Sequence, residues 1–519
     1  MQQPLYVLTE STQRTSGTDA RRSNVAAGRA VASAVRTTLG PRGMDKLLVD
    51  SSGGVVVTND GATILREMDI EHPAAQMLVE VAETQESEVG DGTTTAAVLA
   101  GELLARAEGL LDDDVHATAV VEGYHEALRL ALDAVDGLLV EGEVDRDALV
   151  TVAETAMTGK GTGDVATGVL AEIVVDAVLQ VADDGRRVDR DDIRVFTRTG
   201  ASAAATELVR GVVFEEEPAA DNMPRSVEDA TVAVLDMKLD VRSGEVDTEY
   251  TITSVEQLDA AISAEDAERR GIAETLSEAG VDVVFSSKEI SDPVAAYLAD
   301  AGILAFSNVK TSEARAFARA TGARRLGTLD GIESGDLGTA ASVRVERHGG
   351  DDVTFLDGSD DSRTVTLYVR GSTDHVVDET ERAIDDALGV VVAAHADGEI
   401  VPGAGAVEIA IADRLRSGAN AVTGRKSLAV EAFADAVDAI PRTLAENAGL
   451  DPIDALVDLR ARHDREGVAG IVIDGPSVQI TDPRDDRVVD PAAVKREALE
   501  SATEAATMIL RIDDVIAAN

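Results

Sequence analysis

Cysteine and tryptophan are absent from this 519-residue chain, and aromatic residues make up only 2% of it. Without a thiol there is no disulfide framework, no thiolate nucleophile and no cysteine-ligated metal, and nothing points to secretion. Positive charge is also short. The 97 Asp and Glu outnumber the 47 Lys and Arg, for a formal net charge of −50, and only seven of the basic residues are lysine. Such a surface repels phosphate backbones and lacks the basic patches and stacking rings that hold nucleic acids, so no nucleic-acid partner is expected. No run reaches the roughly 18 consecutive apolar residues of a membrane span, and the stretch from Met1 to Ser23 is polar, without a signal core. The expectation is a cytoplasmic protein with no membrane partner. The acidic excess runs along the whole chain, as in Asp112-Asp113-Asp114 and Glu215-Glu216-Glu217. It suits a solvated surface in a very salty cytosol, where counterions screen self-repulsion, and it says nothing about mechanism.

What is present is an apolar fraction of 44%, enough for a sizeable core and for about two to four domains. The first ~140 residues and the last ~120 read as mainly helical. Ser23 or Asn24 can cap a helix with apolar positions at Ala27, Val31, Val35 and Leu39, which Gly40-Pro41 stops. Another helix opens after Gly92 and runs through Ala96, Leu99 and Leu103. Near the end, Met508, Ile509, Ile512, Val515 and Ile516 fall at helical spacing. The middle third differs. Short apolar runs recur at Val232–Leu235, Val281–Phe285, Ile303–Phe306, Val343–Val345 and Val365–Val369, and a helix from about Asp292 makes a βαβ-like pattern of the second and third. Strand-rich α/β structure between helical ends predicts a nested arrangement, with one domain inserted into another that both chain ends complete.

Three segments concentrate chemistry. Leu39-Gly40-Pro41-Arg42-Gly43 follows the first helix and precedes a predicted hairpin (Leu47–Asp50, turn Ser51–Gly54, Val55–Thr58). It reads either as helix punctuation or as a phosphate-facing loop. Thr58-Asn59-Asp60-Gly61 is a tight turn, in which Asp60 is either an N-cap or a carboxylate able to orient a water. Gly90-Asp91-Gly92-Thr93-Thr94-Thr95 is the strongest. Its glycines let a ligand approach the backbone, its threonines stand at a helix start where the dipole favours anions, and Asp91 is placed for Mg²⁺, a hard cation often shared with phosphates. A plain cap needs only one such threonine. There is no Walker-type loop. Gly403-Ala404-Gly405 lacks the third glycine of a dinucleotide fingerprint, and the seven histidines show no metal-ligand spacing.

In these segments the chain resembles the group II chaperonins, the archaeal thermosome family related to the eukaryotic cytosolic chaperonin. The resemblance is carried by Leu39 to Asp50 (LGPRGMDKLLVD), Val57 to Leu65 (VTNDGATIL), Glu88 to Leu104 (EVGDGTTTAAVLAGELL) and Thr155 to Lys160 (TAMTGK). It continues through Val369 to Leu388 (VRGSTDHVVDETERAIDDAL), Val401 to Glu408 (VPGAGAVE) and Ser501 to Ala518 (SATEAATMILRIDDVIAA), in family order over nearly the whole chain. It implies the chaperonin fold, a multi-domain α and α/β protein. A mainly helical equatorial ATP-binding domain would use residues 1–142 and 397–519, and a small α/β intermediate domain residues 143–207 and 363–396. An inserted α/β apical domain, residues 208–362, would hold substrate and carry a helical protrusion as a built-in lid.

The resemblance further implies an ATP-dependent chaperone that encloses unfolded proteins and couples ATP hydrolysis to lid closure. Its partners would be unfolded proteins and identical or paralogous subunits in two stacked rings, of about eight or nine subunits each, with no separate lid protein. Its cofactors would be ATP and Mg²⁺, and its source a salt-adapted archaeon. Gly40, Pro41, Gly92, Thr93, Thr94 and Thr95 would line the phosphates, and Asp91 would bind the metal. Gly403 and Gly405 would lie beside the ribose and base, with Asp490 contacting the nucleotide. Lys160 would sense the γ-phosphate, and Asp60 and Asp386 would position or deprotonate the attacking water.

Three departures from the family stand out. Asp385 occupies a position often held by His. Thr199-Gly200-Ala201-Ser202 has lost one glycine of a common pair. No Gly/Met-rich tail follows the last helix. The lid candidate, Ser254–Arg270, offers only Leu258, Ala261 and Ile262 as an apolar edge and otherwise reads as an amphipathic surface helix. The acidic Asp385 and thin lid motivate a rival, a subunit that holds unfolded chains without productive ATP cycling. A second rival is a structural ring member, against which the intact Asp60, Asp91 and Asp386 count.

Overall fold

The apolar stripes of the two helical chain ends meet in one core. A computed structural model describes residues 13–49, 53–161, 166–182, 188–241, 254–358 and 362–517. The chain divides into two compact units, residues 1–175 with 378–519, and residues 176–377. At the centre of the first unit lies the helix Thr93–Asp112, packed against Thr18–Val35, Pro73–Val89, Lys426–Val437 and Ala492–Leu510. Its Ala96, Ala97, Ala100, Leu103, Leu104 and Ala107 are all fully buried. A helix surrounded on most sides must be apolar nearly all round, and the small alanines let its neighbours come close. The core also takes in Tyr124, whose hydroxyl donates to the Leu103 carbonyl at 2.7 Å and whose ring meets Phe433 edge-on at 5.6 Å, so its one polar atom is satisfied.

In the second unit the strand-like runs form two sheets. Ile193–Thr199 and Glu207–Val209 flank Val365–Gly371, the first parallel to it and the second antiparallel. A seven-stranded sheet runs Gly211–Phe214, Asp351–Asp357, Gly338–His348, Ser226–Leu235, Val283–Ser286, Leu304–Phe306, with Arg325–Leu326 also paired to Ser226–Leu235. Val283–Ser286 and Leu304–Phe306 are parallel neighbours joined through the helix Asp292–Asp300, the βαβ unit expected from the sequence. Four of the seven phenylalanines gather on this sheet: Phe285 stacks on Phe317 at 4.1 Å and on Phe306 at 5.2 Å, with Phe214 edge-on to all three. A chain so poor in aromatics thus places most of its phenylalanine in one core.

Two local readings are corrected. The first long helix begins at Thr18, with Gly17 as N-cap, rather than at Ser23 or Asn24. Gln13–Ser16 pairs antiparallel with Asp514–Ala517, and the Gly17 N–H donates to the Asp513 carbonyl at 2.7 Å. This pairing ends at Ser16 and turns the chain into the helix early, leaving Asn24 buried mid-helix. The same ladder corrects the C-terminal stripe. The last helix, Ala492–Leu510, stops before Ile512, and Val515 and Ile516 are strand residues, β-branched and suited to a pleat. Met508 and Ile516 are about half exposed, while Ile509 is buried.

The hairpin Lys46–Val49 with Val55–Thr58 forms as expected, although Asp50, Ser51 and Ser52, and likewise Ala518 of the last motif, lie outside the described residues. The lid candidate is the first part of a helix, Val255–Glu278, which Ser254 caps by accepting from the Gln257 N–H. Its later turns bury Ala273 and Leu276, whereas Val255, Leu258 and Ile262 are exposed.

Candidate functional site

Three of the singled-out segments converge on one cleft in the first unit, a cavity of about 460 Å³. The chain reaches it first at the end of the 3₁₀ turn Arg36–Thr38. There the Asn447 side chain donates to the Arg36 and Leu39 carbonyls, fixing the bend into Gly40, whose φ is +83°. Gly40 and Pro41 line the cleft. Opposite them starts the helix Thr93–Asp112. Its N-cap, Gly92, has φ +84°, a left-handed conformation that glycine adopts without strain, and no side chain caps it. The first-turn N–H groups therefore receive no cap from the N-cap side chain, and Thr93, Thr94 and Thr95 line the cleft there.

Asp91 and Asp60 open into the same space. Asp91 Oδ1 accepts from the Gly92 N–H at 2.6 Å, and the Asp91 carbonyl accepts from the buried Gln85 amide at 2.8 Å. Asp60 is a cap and a cleft residue at once. Its Oδ2 accepts from the Thr63 N–H at 2.7 Å, starting the helix Gly61–Glu67, which leaves Oδ1 for other work. Asn59 donates to the Gly159 carbonyl at 3.1 Å and so ties this turn to the loop that presents Lys160. The Lys160 ammonium forms an ion pair with Asp386, on the helix Asp374–Asp397, and both side chains are largely buried.

The charges around this pair do not balance. Burial opposes the Lys160 charge, but Asp386, Asp91 and Asp60 together hold its pKa above the usual lysine value. Burial pushes the Asp386 carboxyl up to about 8. Lys160 opposes that rise, and Asp91 and Asp60 add to it. One ammonium thus faces three carboxylates in a largely buried space, an arrangement that favours uptake of a proton or of a cation. Among the described residues no group of three or more His, Cys, Asp or Glu side chains could cage a metal ion by itself. A single carboxylate beside a phosphate cradle is the donor set Mg²⁺ shares with a nucleotide, so the residues present fit that ion. Asp385, next to Asp386, is exposed. Its charge reaches Glu86, whose carboxyl is raised chiefly by burial and then by Asp60, against the pull of Arg66, with Asp385 adding to the rise.

The other end of the cleft is built on a two-stranded ladder, in which Val401 pairs with Asp490. Gly405, φ +81°, is the N-cap of the helix Ala406–Ala419 and lines the cleft with Asp490. Gly403 stands just behind: its N–H donates to the Val488 carbonyl, and a methyl built on it would come 3.3 Å from Asp490 Oδ2. Lys495 was missed by sequence reasoning. Its ammonium lies between Glu408 Oε1 at 3.0 Å and Asp490 Oδ2 at 2.9 Å, with only 13% of the side chain exposed. Burial works against its charge, but Asp490 and Glu408 hold its pKa above the usual lysine value. A signal was present, since lysine is rare in this chain and this one follows Asp490 by five residues, directly after Ala492-Ala493-Val494.

At one end the cleft therefore joins a helix-start anion cradle, a carboxylate suited to Mg²⁺, Asp60 and Asp386 and the Lys160 ammonium, and at the other the Lys495 ammonium with Asp490 and Glu408. Comparison with known proteins gives the family. The profile described as the TCP-1/cpn60 chaperonin family matches residues 31–519. The chain is 67% identical over 519 residues to thermosome subunit 3 of Haloferax volcanii, covering 100% of this chain and 99% of that protein. It is 52% identical to thermosome subunit alpha of Halobacterium salinarum, covering 99% and 92%, and 49% identical to thermosome subunit beta of Methanothermobacter thermautotrophicus, covering 100% and 95%.

Proposed function

The chain belongs to the TCP-1/cpn60 chaperonin family, and from that membership we propose how its cleft carries out the work of an ATP-hydrolysing chaperone. The observation that carries the reading is the ion pair of Lys160 with Asp386 in the cleft that Asp60, Asp91 and the start of the helix Thr93–Asp112 also line. The triphosphate sits against Gly40, Pro41 and the N–H groups and hydroxyls from Gly92 to Thr95. Asp91 would hold Mg²⁺ together with phosphate oxygens, and the ion would supply charge neutralisation that the acidic site lacks.

Phosphoryl transfer then asks the protein mainly for alignment and electrostatics. Asp60 Oδ1 orients the attacking water while Oδ2 stays fixed to its helix. A γ-phosphate competes with Asp386 for the Lys160 ammonium. As Lys160 turns to the phosphate, Asp386 is freed to face the water, and its ionised form accepts the water's proton. Lys160 thus reports an occupied site to the residue that acts on it. At the other end Asp490, steadied by Lys495, meets the ribose beside Gly403 and Gly405.

The wider reading is a subunit of a double ring, built with identical or paralogous copies, that acts in the cytoplasm of a salt-adapted cell. Unfolded proteins would be enclosed under the lid helix that follows Ser254, and no separate lid protein would be needed. The three-domain division, with boundaries at 142/143, 207/208, 362/363 and 396/397, is supported by pairing. Strands from both proposed intermediate segments, Ile193–Thr199 and Val365–Gly371, share one sheet, and the seven-stranded sheet falls within 208–362. Asp386→Ala tests the mechanism. It is expected to bind ATP as the parent does, to lose nearly all hydrolysis, and to refold a denatured reporter no better with ATP than with a non-hydrolysable analogue. Normal turnover by this variant would end the reading.

A further inference from the structure

We propose that Gly389 is a positioning residue for ATP hydrolysis, its bare Cα setting how closely the helix that carries Asp386 rests on the loop that carries Asp91. The inference rests on the roles given above to those two aspartates. Gly389 lies one helical turn beyond Asp386, and Gly90 immediately precedes Asp91. A methyl built on Gly389 would come 2.4 Å from Gly90 Cα and 3.1 Å from its nitrogen. A methyl built on Gly90 would come 2.4 Å from Gly389 Cα and 3.2 Å from its nitrogen. Both obstacles are backbone, so no side-chain rotation relieves them, and one of the two segments has to move.

The same pattern recurs around the cleft. Gly61, which follows Asp60, lies where a methyl would come 2.5 Å from Thr94 Oγ1. Gly159, which precedes Lys160, lies where one would come 2.7 Å from the Pro41 carbonyl oxygen. Positive φ already accounts for glycine at positions 90 and 159. It does not account for Gly389, which sits inside a 24-residue helix with no positive φ, where glycine is the poorest former after proline. The contact with Gly90 is what asks for glycine there. Because the contact joins the helix of Asp386 to the loop of Asp91, which Gln85 anchors through the Asp91 carbonyl, in this proposal the helix gives way, so that a side chain at 389 displaces the base from the water more than it disturbs the cradle.

The test is Gly389→Ala in the full chain at high salt, assayed for kcat and KM of ATP hydrolysis, ADP affinity by calorimetry, and melting temperature. Gly109→Ala, at a helix glycine with nothing within 4 Å, is the control. The expected result is a kcat lower by about 10–100-fold, as a displacement of up to 1 Å produces, with KM and ADP affinity within about threefold and melting unchanged. Adding Asp386→Glu, one methylene longer, is expected to restore part of kcat in the alanine variant although it lowers kcat alone, a non-additivity that a merely structural glycine would not show. A kcat within twofold of the parent overturns the proposal. So does a parallel loss of ADP affinity, an absence of rescue, or a failure to assemble. Asp386→Ala run alongside separates the two ideas. If it is inactive while Gly389→Ala is normal, only the positioning role fails; if it turns over normally, the reading of Asp386 itself is wrong.

Discussion

Replacing Lys495 by Met, a side chain of similar length without charge, leaves Glu408 and Asp490 facing one another with nothing between them. In the parent both carboxylates lie about 3 Å from the Lys495 ammonium, and Glu408 is 6% exposed against 22% for Asp490. Breaking a fully buried ion pair by removing one partner costs about 3–5 kcal/mol, because the remaining charge is stranded. Asp490 can turn partly to water and Glu408 cannot, so the lower end, about 3 kcal/mol, is expected for the first unit. Nucleotide binding should weaken too. Once Asp490 is no longer held toward the ribose, a loss of about 1.4–2.8 kcal/mol corresponds to a 10–100-fold rise in KM for ATP. Thermal unfolding and steady-state ATPase assays across a salt series would read both effects. Because the pair is buried, salt should not mask the defect, whereas exposed pairs such as Arg129 with Glu126 should lose what little they contribute. Lys495→Arg, which keeps the charge, should retain more of both properties. A methionine variant that melts with the parent and binds ATP equally well would refute the account of this ammonium.

Asp438 offers a test of stability alone. It is fully buried and accepts from both Arg416 and Arg460, so Asp438→Ala should lower stability by about 2–3 kcal/mol, less than the full cost of a broken buried pair because both arginines can reach water; Asp435→Ala, removing a half-exposed carboxylate, should move the melting temperature little. For Asp386, a folded-state pKa raised to about 8 means that ionisation opposes folding. The stability linked to its protonated form is complete below the ordinary carboxylate pKa near 4 and is lost as pH rises toward 8. Asp386→Asn removes that dependence. In protein free of nucleotide and Mg²⁺, its melting temperature should gain on the parent between pH 5 and pH 8, and a constant difference would contradict the raised pKa.

The turn and helix start at one end of the cleft are legible because their geometry is local. Gly90 to Thr95 puts two glycines, a carboxylate and three hydroxyls within six residues at a helix start, and the backbone needs no distant partner to make them a cradle. The strands of the inserted unit are legible for a similar reason, since runs such as Val232–Leu235 are short, apolar and bounded. What escapes is anything settled by long-range pairing. Lys495 and Gln85 look like ordinary polar residues among others on their helices; their meaning comes from Glu408 and from the Asp91 and Val494 carbonyls, which lie on other segments except for Asp91. Val515 and Ile516 fit a helical period as well as a strand, and only the ladder to Arg14 and Thr15 decides between them.

That ladder, and the core behind it, set the order of events during synthesis. The segments lining the cleft run from Thr38 to Ala498, with the entire inserted unit emerging from the ribosome between Lys160 and Asp386. Asp490, Lys495 and the helix Ala492–Leu510, which packs against the first helices, are translated after that unit. A nascent chain can finish its inserted unit early, yet it owns no complete cleft until the helix Ala492–Leu510 has been made. The cleft is therefore assembled late, only as the segments made before and after the inserted unit close on each other.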